Sequence, residues 1–394
     1  MNIVLFCRYF SADFEYMENA FARQFQSLGH RVTIVTTTRV IPRNYQQILS
    51  ADDEHGDRPA GTLEENGFTV VRLEGHCWGR NGGIELLPGL SAALKNLKPD
   101  LLFFQSVENF PIALQTALLK YRLGYRYYVV VNEHYIYARG AGASGIAGIK
   151  AAFLDAVAKV CKKVSLAAAT RIIGMNEYSS EVAKKLYFGA AEKMTEITLG
   201  VDSETIFHKP ESRRKIRKEY GVLPDEILIV HSGKMAPYKK THLILEAIGR
   251  LGRRDLKLLL IGKCEPAYQS TLTDLIKAHS LEKQVNFVPW VAPVELHHYF
   301  SASDIAIWVD HATISTIEAS AVGIPIIVPD FHGYEHRTKY CNGLRIQPGD
   351  LDDLTLKLGQ LLENMEEASA MGKRGRELVE KELNWSSIVQ KILN

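Results

Sequence analysis

Short apolar runs alternate with longer stretches of helical period along almost the whole chain. That alternation predicts parallel sheets wrapped by helices. In the first half, NIVLFC, RVTIVTT, FTVVRL, DLLFFQS, RYYVVVN, RIIGMN and MTEITLG read as strands. Between the first two, FEYMENAFARQFQSLGH spaces its apolar residues at helical intervals, with Gly29 at the C-cap position. Residues 40–67 are polar, with several Gly, Pro and Asp, and read as a surface excursion. The second half repeats the grammar with EILIVHS, KLLLIGK, VNFVPW, DIAIWVD and IPIIVPD as strands, and with THLILEAIGRLG and AYQSTLTDLIKAHSL as helices.

The halving predicts an α/β protein of two doubly wound, Rossmann-like domains: an N-terminal domain over 1–205 and a C-terminal domain over 206–380. A closing amphipathic helix over 381–394 is expected to pack back on the first domain. The polar stretch GVDSETIFHKPESRR, 200–214, reads as the linker. Ligands of open parallel sheets bind beyond the carboxyl ends of the strands, so the two domains are expected to face each other across a ligand cleft.

Composition narrows this picture. A chain of 394 residues suits two domains, and 46% hydrophobic with 23% charged residues is a globular balance. A net charge of +2 gives no reason to expect nucleic acid. The five cysteines are scattered, never in CxxC spacing, which predicts reduced thiols in a cytoplasmic protein and no zinc site. MNIVLFCRYF runs straight into an apolar strand, unlike a signal peptide, and no run reaches the ~18 apolar residues of a membrane span.

Two stretches could carry chemistry. In HSGKMAPYKK the strand ends at Gly233, followed by Lys234 and then by Lys239 and Lys240 at the expected head of a helix. Lysines there oppose the helix dipole, which suits them to a diphosphate; the alternative is a pair of solvated surface lysines. In VDHATISTIEASAVGIPIIVPD, Asp310 ends a strand, residues 312–316 open a helix and Glu318 follows. The helix start offers free amides to a phosphate, Glu318 could accept from a ribose diol, and Asp310 would meet whatever the phosphate carries. The alternative makes Asp310 an N-cap and Glu318 a surface residue.

With YCNGLRIQPGD following in order, these motifs resemble the donor-binding half of the retaining glycosyltransferases of family 4, which have the GT-B fold. ITLGVDSETIFHKP resembles the family's interdomain junction and LGHRVTIVTT its first helix–strand return, so the resemblance covers essentially the whole chain. It implies that Gly233, Lys234 and Lys239 hold the donor diphosphate together with the backbone at Thr313, Ile314 and Ser315. Glu318 would hold the ribose, Val291 and Trp290 would lie against the base, and Asp310 would lie near the sugar. His134, after YYVVVN, is the implied catalytic histidine beside Asp310; Gly333 and Glu335 fit the pattern after the fifth strand.

The resemblance implies transfer of a sugar from a UDP- or GDP-sugar, with retention of configuration, needing neither metal nor other cofactor, to a glycan or lipid-linked acceptor in surface polysaccharide or glycolipid assembly. Fixed positive groups aimed at the leaving diphosphate meet the electrostatic need of such a reaction. Between Lys120 and Arg171 stand nine Lys or Arg against Glu133 and Asp155. The helix GIKAAFLDAVAKVCKKVSLAAATR could lie on an anionic membrane surface, or be an ordinary packed helix.

The chain departs from the family where glycines are usual: HATIST stands between the two acids, Asp310 replaces Glu, and FSADFEYMEN replaces a glycine pair. A non-catalytic partner subunit, and an epimerase or phosphorylase on the same architecture, therefore stay open as alternatives.

Overall fold

The structure, a computed structural model, describes residues 1–12, 17–39, 57–78, 84–132, 145–187, 189–310 and 313–394, without the side chains of 145–148. The chain divides into two units: Met1–Thr198 with Val389–Asn394, and Leu199–Ile388.

The first unit contains β1 (Asn2–Phe6), β2 (Arg31–Thr37), β3 (Gly61–Glu65), β4 (Phe68–Leu73), β5 (His76–Trp78), β6 (Ile84–Leu86), β7 (Leu101–Phe104), β8 (Arg126–Val131), β9 (Arg171–Gly174) and β10 (Met194–Glu196). Eight of them form one sheet in the order β10-β9-β8-β7-β1-β2-β4-β3, parallel except where β3 joins β4. β5 and β6 form a separate antiparallel hairpin. β1 and β7 are continuous apolar runs because helices cover both faces of a parallel sheet. Phe6 stacks on Phe104 at 5.3 Å between ring centroids, and Phe103 packs against Phe21 and Phe25 on the other side.

The second unit contains β11 (Ile227–Ser232), β12 (Leu256–Ile261), β13 (Val285–Val288), β14 (Ile305–Ile307), β15 (Ile326–Pro329) and β16 (Gly343–Ile346). They form an all-parallel sheet in the order β13-β12-β11-β14-β15-β16. From β11 the chain winds outward through β12 and β13, then returns to β14 and winds the other way. The reversal between β11 and β14 opens a crevice at their carboxyl ends. The first sheet reverses in the same way between β1 and β7.

The stretch read as a linker is only partly one. A helix spans Pro210–Glu219. Upstream of it, Arg376 donates to the Ser203, Ile206 and Ala321 carbonyls and ties the segment to the second unit. At the other end of the chain, Arg171 Nη1 donates to the Ile392 carbonyl and Lys391 Nζ to the Glu196 carbonyl within the first unit. The excursion expected over 40–67 contains strand β3; residues 40–56 lie outside those described.

Candidate functional site

Two glycines shape the floor of the crevice. β11 ends at Gly233 (φ +140°) and β12 at Gly262 (φ +132°), both in backbone conformations that side chains resist. A Cβ on Gly262 would stand 2.3 Å from the Gly233 carbonyl oxygen, so the two turns abut backbone to backbone. A glycine after each of two adjacent strands was the available signal for Gly262.

The lysines sit differently from the expectation. Pro237–Lys239 is a single 3₁₀ turn, Lys240 is left-handed at φ +54°, and the helix His242–Leu251 begins only after Thr241. Lys239 and Lys240 thus precede the helix and are not in its first turn. Lys239 Nζ lies 3.7 Å from Asp310 Oδ2. Lys239 follows β11 and Asp310 follows β14, so the pair straddles the reversal point. Burial lowers the Lys239 ammonium from its usual range, and Asp310 partly restores it. Lys234 instead pairs with Glu265 at 2.7 Å, in a more exposed position.

The second acidic stretch leaves a helix start open. The helix runs over Ser315–Val322 with Ile314 at its N-cap, so Asp310 is not a cap. The amides of Thr316 and Ile317 bond back to Thr313 and Ile314, and that of Glu318 to Ile314. The N–H groups of Thr313, Ile314 and Ser315 make no hydrogen bond among the described residues. Thr313 Oγ1 and Ser315 Oγ lie 2.6 Å apart.

Glu318, one turn further, is 7% exposed rather than a surface residue. Its Oε2 is buried without a partner, and desolvation pushes its carboxyl up to about 7. A buried carboxylate left unpaired is costly unless a ligand supplies donors.

Two residues that the sequence reading passed over hold this arrangement. Arg337, 3% exposed, donates through Nη1 to the Thr313 carbonyl at 3.1 Å and to Thr316 Oγ1 at 2.7 Å, fixing the open-amide segment. Its Nε donates to His336 Nε2, which requires that ring to be neutral; burial pushes His336 down to about 3 and Arg337 down to about 10. His231, on β11, places Nδ1 2.8 Å from the Ile307 carbonyl on β14, so Nδ1 carries the proton and Nε2 faces Thr241 Oγ1 at 3.5 Å. Burial pushes His231 down to about 4. Trp308 Nε1 adds a bond to the Ser232 carbonyl at 2.9 Å. No spacing rule singles out these side chains, because their partners lie on other strands.

The remaining candidates stand at neighbouring strand ends. Val291 is partly buried and Trp290 exposed just beyond β13. Gly333 donates its amide to Glu335 Oε2 at 2.8 Å after β15. His134 and Glu133 lie outside the described residues.

The first unit has a second polar constellation at its own reversal point. Gln105, just after β7, is 9% exposed and both its amide atoms lack partners. Arg8, just after β1, pairs with the buried Glu85 at 2.7 Å, and Cys77 Sγ donates to the same carboxylate at 3.1 Å.

The family model described as glycosyl transferases group 1 matches residues 212–378, and that of the glycosyl transferase 4-like domain matches residues 19–200. Among curated relatives is the GDP-mannose-dependent monoacylated alpha-(1-6)-phosphatidylinositol monomannoside mannosyltransferase of Corynebacterium glutamicum. It is 26% identical over 223 residues, 53% of this chain and 58% of that protein. A D-inositol 3-phosphate glycosyltransferase of Nocardia farcinica is 24% identical over 280 residues, 63% of this chain and 62% of that protein. The chain spans about half the length of the curated relatives it matches. Among solved structures, HepE of Anabaena in complex with UDP matches 100% of this chain and 98% of its own, with TM-score 0.70 and 15% identity. A glycosyltransferase from Rickettsia africae matches 99% and 96%, with TM-score 0.71 and 13% identity. At these identities the likeness to the solved structures is one of fold.

Proposed function

Because this chain belongs to the group 1 glycosyltransferases, with two α/β units of the GT-B type, we propose that it moves a hexose from a nucleotide-sugar to a glycan or lipid-linked acceptor, with retention of configuration and without a metal. The observation that carries the reading is the buried, unpartnered Glu318 Oε2 one turn beyond three open amides, beside a lysine–acid pair at the sheet's reversal point.

In this reading the diphosphate lies on the amides of Thr313, Ile314 and Ser315 and against Lys239. Lys234 joins once its exposed pair with Glu265, worth at most ~1 kcal/mol, opens. The ribose hydroxyls donate to Glu318, and the base rests beyond Gly262 and Val291. Asp310, beside Lys239, orients the sugar. As the anomeric bond breaks, charge accumulates on the diphosphate, where ammonium and amide donors already point. UDP in the HepE complex and GDP-mannose in the named mannosyltransferase make uridine and guanosine diphosphate the first donors to test. Acceptor recognition is assigned to the first unit, where Gln105 offers an unpartnered amide to hydroxyl groups.

The test is a thermal-shift screen against UDP, GDP, ADP and their sugar conjugates, with and without EDTA. A ligand at a hundredfold excess over its Kd adds about 2.7 kcal/mol of stability. One nucleotide should stand out, its shift should survive EDTA and vanish in Glu318→Ala, and the product's anomeric configuration should match the donor's by NMR. A flat screen, or a shift indifferent to Glu318→Ala, removes the reading.

A further inference from the structure

The first unit presents an apolar stripe to solvent that its own packing does not use. The helix Gly145–Ala168 buries Ala158 and Cys161, with Val157 beside them, against Phe110, Leu114 and Ile84, and sinks Leu166 and Ala168 into the core under β8 and β9. Its opposite face carries Ile149 (72% exposed), Phe153 (68%), Val160 (63%) and Val164. At 3.6 residues per turn these four fall within roughly 60° of one another, so they form one line along the helix. The exposed Ala156 and Ala167 lie within that line and leave it unbroken by any polar group.

Lysines flank the stripe. Lys159 and Lys163 project on one side and Lys150 on the other, all exposed. The helix carries a single acid, Asp155, which is paired with Lys159 at 2.8 Å. The helix Phe110–Leu123 packs alongside, tied by a bond from Lys120 Nζ to the Ala168 carbonyl. It adds exposed Leu118 and Tyr121, with Arg122 beside them. Because β7, β8 and β9 follow one another in the sheet, right-handed crossovers put both helices on the same side of it. Their outward faces therefore share one surface.

We propose that this face docks on an anionic lipid surface, with Ile149, Phe153, Val160 and Val164 entering the interface and Lys150, Lys159 and Lys163 lying among the headgroups. Soluble surfaces rarely leave large apolar side chains in a contiguous row, whereas an apolar line between basic flanks is the pattern of an interfacial helix. A second copy of the chain would suit the apolar line but would set lysine rows against lysine rows. An anionic bilayer meets both features at once. The proposal rests on the transferase reading only for its purpose, which is to bring the enzyme to an acceptor held in a membrane.

The experiment is flotation of the full chain, without nucleotide-sugar, on vesicles of phosphatidylcholine alone and of phosphatidylcholine mixed with phosphatidylglycerol. Binding is expected to the mixed vesicles only and to weaken as salt rises. Phe153→Ser with Val160→Ser should weaken partitioning about tenfold or more, since each exposed apolar side chain gains from leaving water. Lys159→Glu with Lys163→Glu should weaken it on anionic vesicles while thermal unfolding stays at the parent's temperature. No binding to either vesicle, equal binding to both, or binding unchanged in both variants overturns the proposal. So does vesicle-independent self-association that Phe153→Ser abolishes. A protein that shifts with nucleotide and ignores vesicles sinks this proposal alone; one that binds vesicles and no nucleotide sinks the transferase reading alone.

Discussion

Glu318→Gln offers a direct test of a site that is strained until it is filled. Burial pushes the Glu318 carboxyl up to about 7, against an unfolded value near 4.3, and one buried oxygen has no partner. A folded pKa raised above the unfolded one favours the protonated form in the fold. Its contribution is therefore fully present below pH ~4.3 and is lost as pH rises to about 7. At 1.36 kcal/mol per unit the full loss is roughly 4 kcal/mol, most of it between pH 5 and pH 8. His231, His297 and His336 are pushed the other way, to about 4, 4 and 3, so they lose stability as pH falls below ~6.5. The opposing terms mask each other in the parent protein alone.

The informative quantity is thus the difference between parent and Glu318→Gln, which cancels the histidines. Chemical denaturation of the ligand-free protein at pH 5 and pH 8 should show Gln gaining on the parent by roughly 3 kcal/mol across the interval. The same variant should bind nucleoside diphosphate more weakly at pH 8, because Gln lacks the charge that ribose hydroxyls would meet. A difference that stays flat with pH would mean that Glu318 is not a buried carboxylate. Tighter nucleotide binding by Gln would mean that the ligand does not use it.

Other perturbations separate the remaining parts of the site. Lys239→Met should raise the Kd for nucleoside diphosphate by about 10–100-fold in calorimetry, since hydrogen bonds to charged groups contribute ~1.5–3 kcal/mol, while Lys234→Met changes it by less than about fivefold; equal losses would contradict the roles assigned from Asp310 and Glu265. Gly262→Ala should cost about 3 kcal/mol or more in denaturant unfolding, because both the positive φ and the 2.3 Å approach to Gly233 resist a Cβ. Arg8→Met should cost ~3–5 kcal/mol by leaving the buried Glu85 charge without this cation, and Arg8→Met with Glu85→Leu should recover most of it; no recovery would mean that packing, not charge, is at stake. Calorimetry in two buffers of different ionisation enthalpy at pH 6.5 should show nucleotide binding releasing a proton from the parent and less from Glu318→Gln.

What the sequence determined by itself follows from local chemistry. RVTIVTT and FTVVRL become β2 and β4 with the bounds their runs imply, β2 buried after its first residue and β4 alternating buried with half-buried positions, as β-branched runs on a pleated sheet do. Gly29 and Gly233 sit at positive φ, where turns at those places need glycine. The doubly wound class was legible from alternation alone. Strand β3 (GTLEE) and β16 (GLRI) were not, since each lies at a sheet edge, half exposed, without an apolar run. Only the tertiary structure decided which strand ends meet. It set Lys239 against Asp310, paired Lys234 with Glu265, buried Glu318 and anchored Thr313 to Arg337. Each pairing joins loops from different strands, and their distances follow from strand order, which no local pattern of hydrophobic and polar residues encodes.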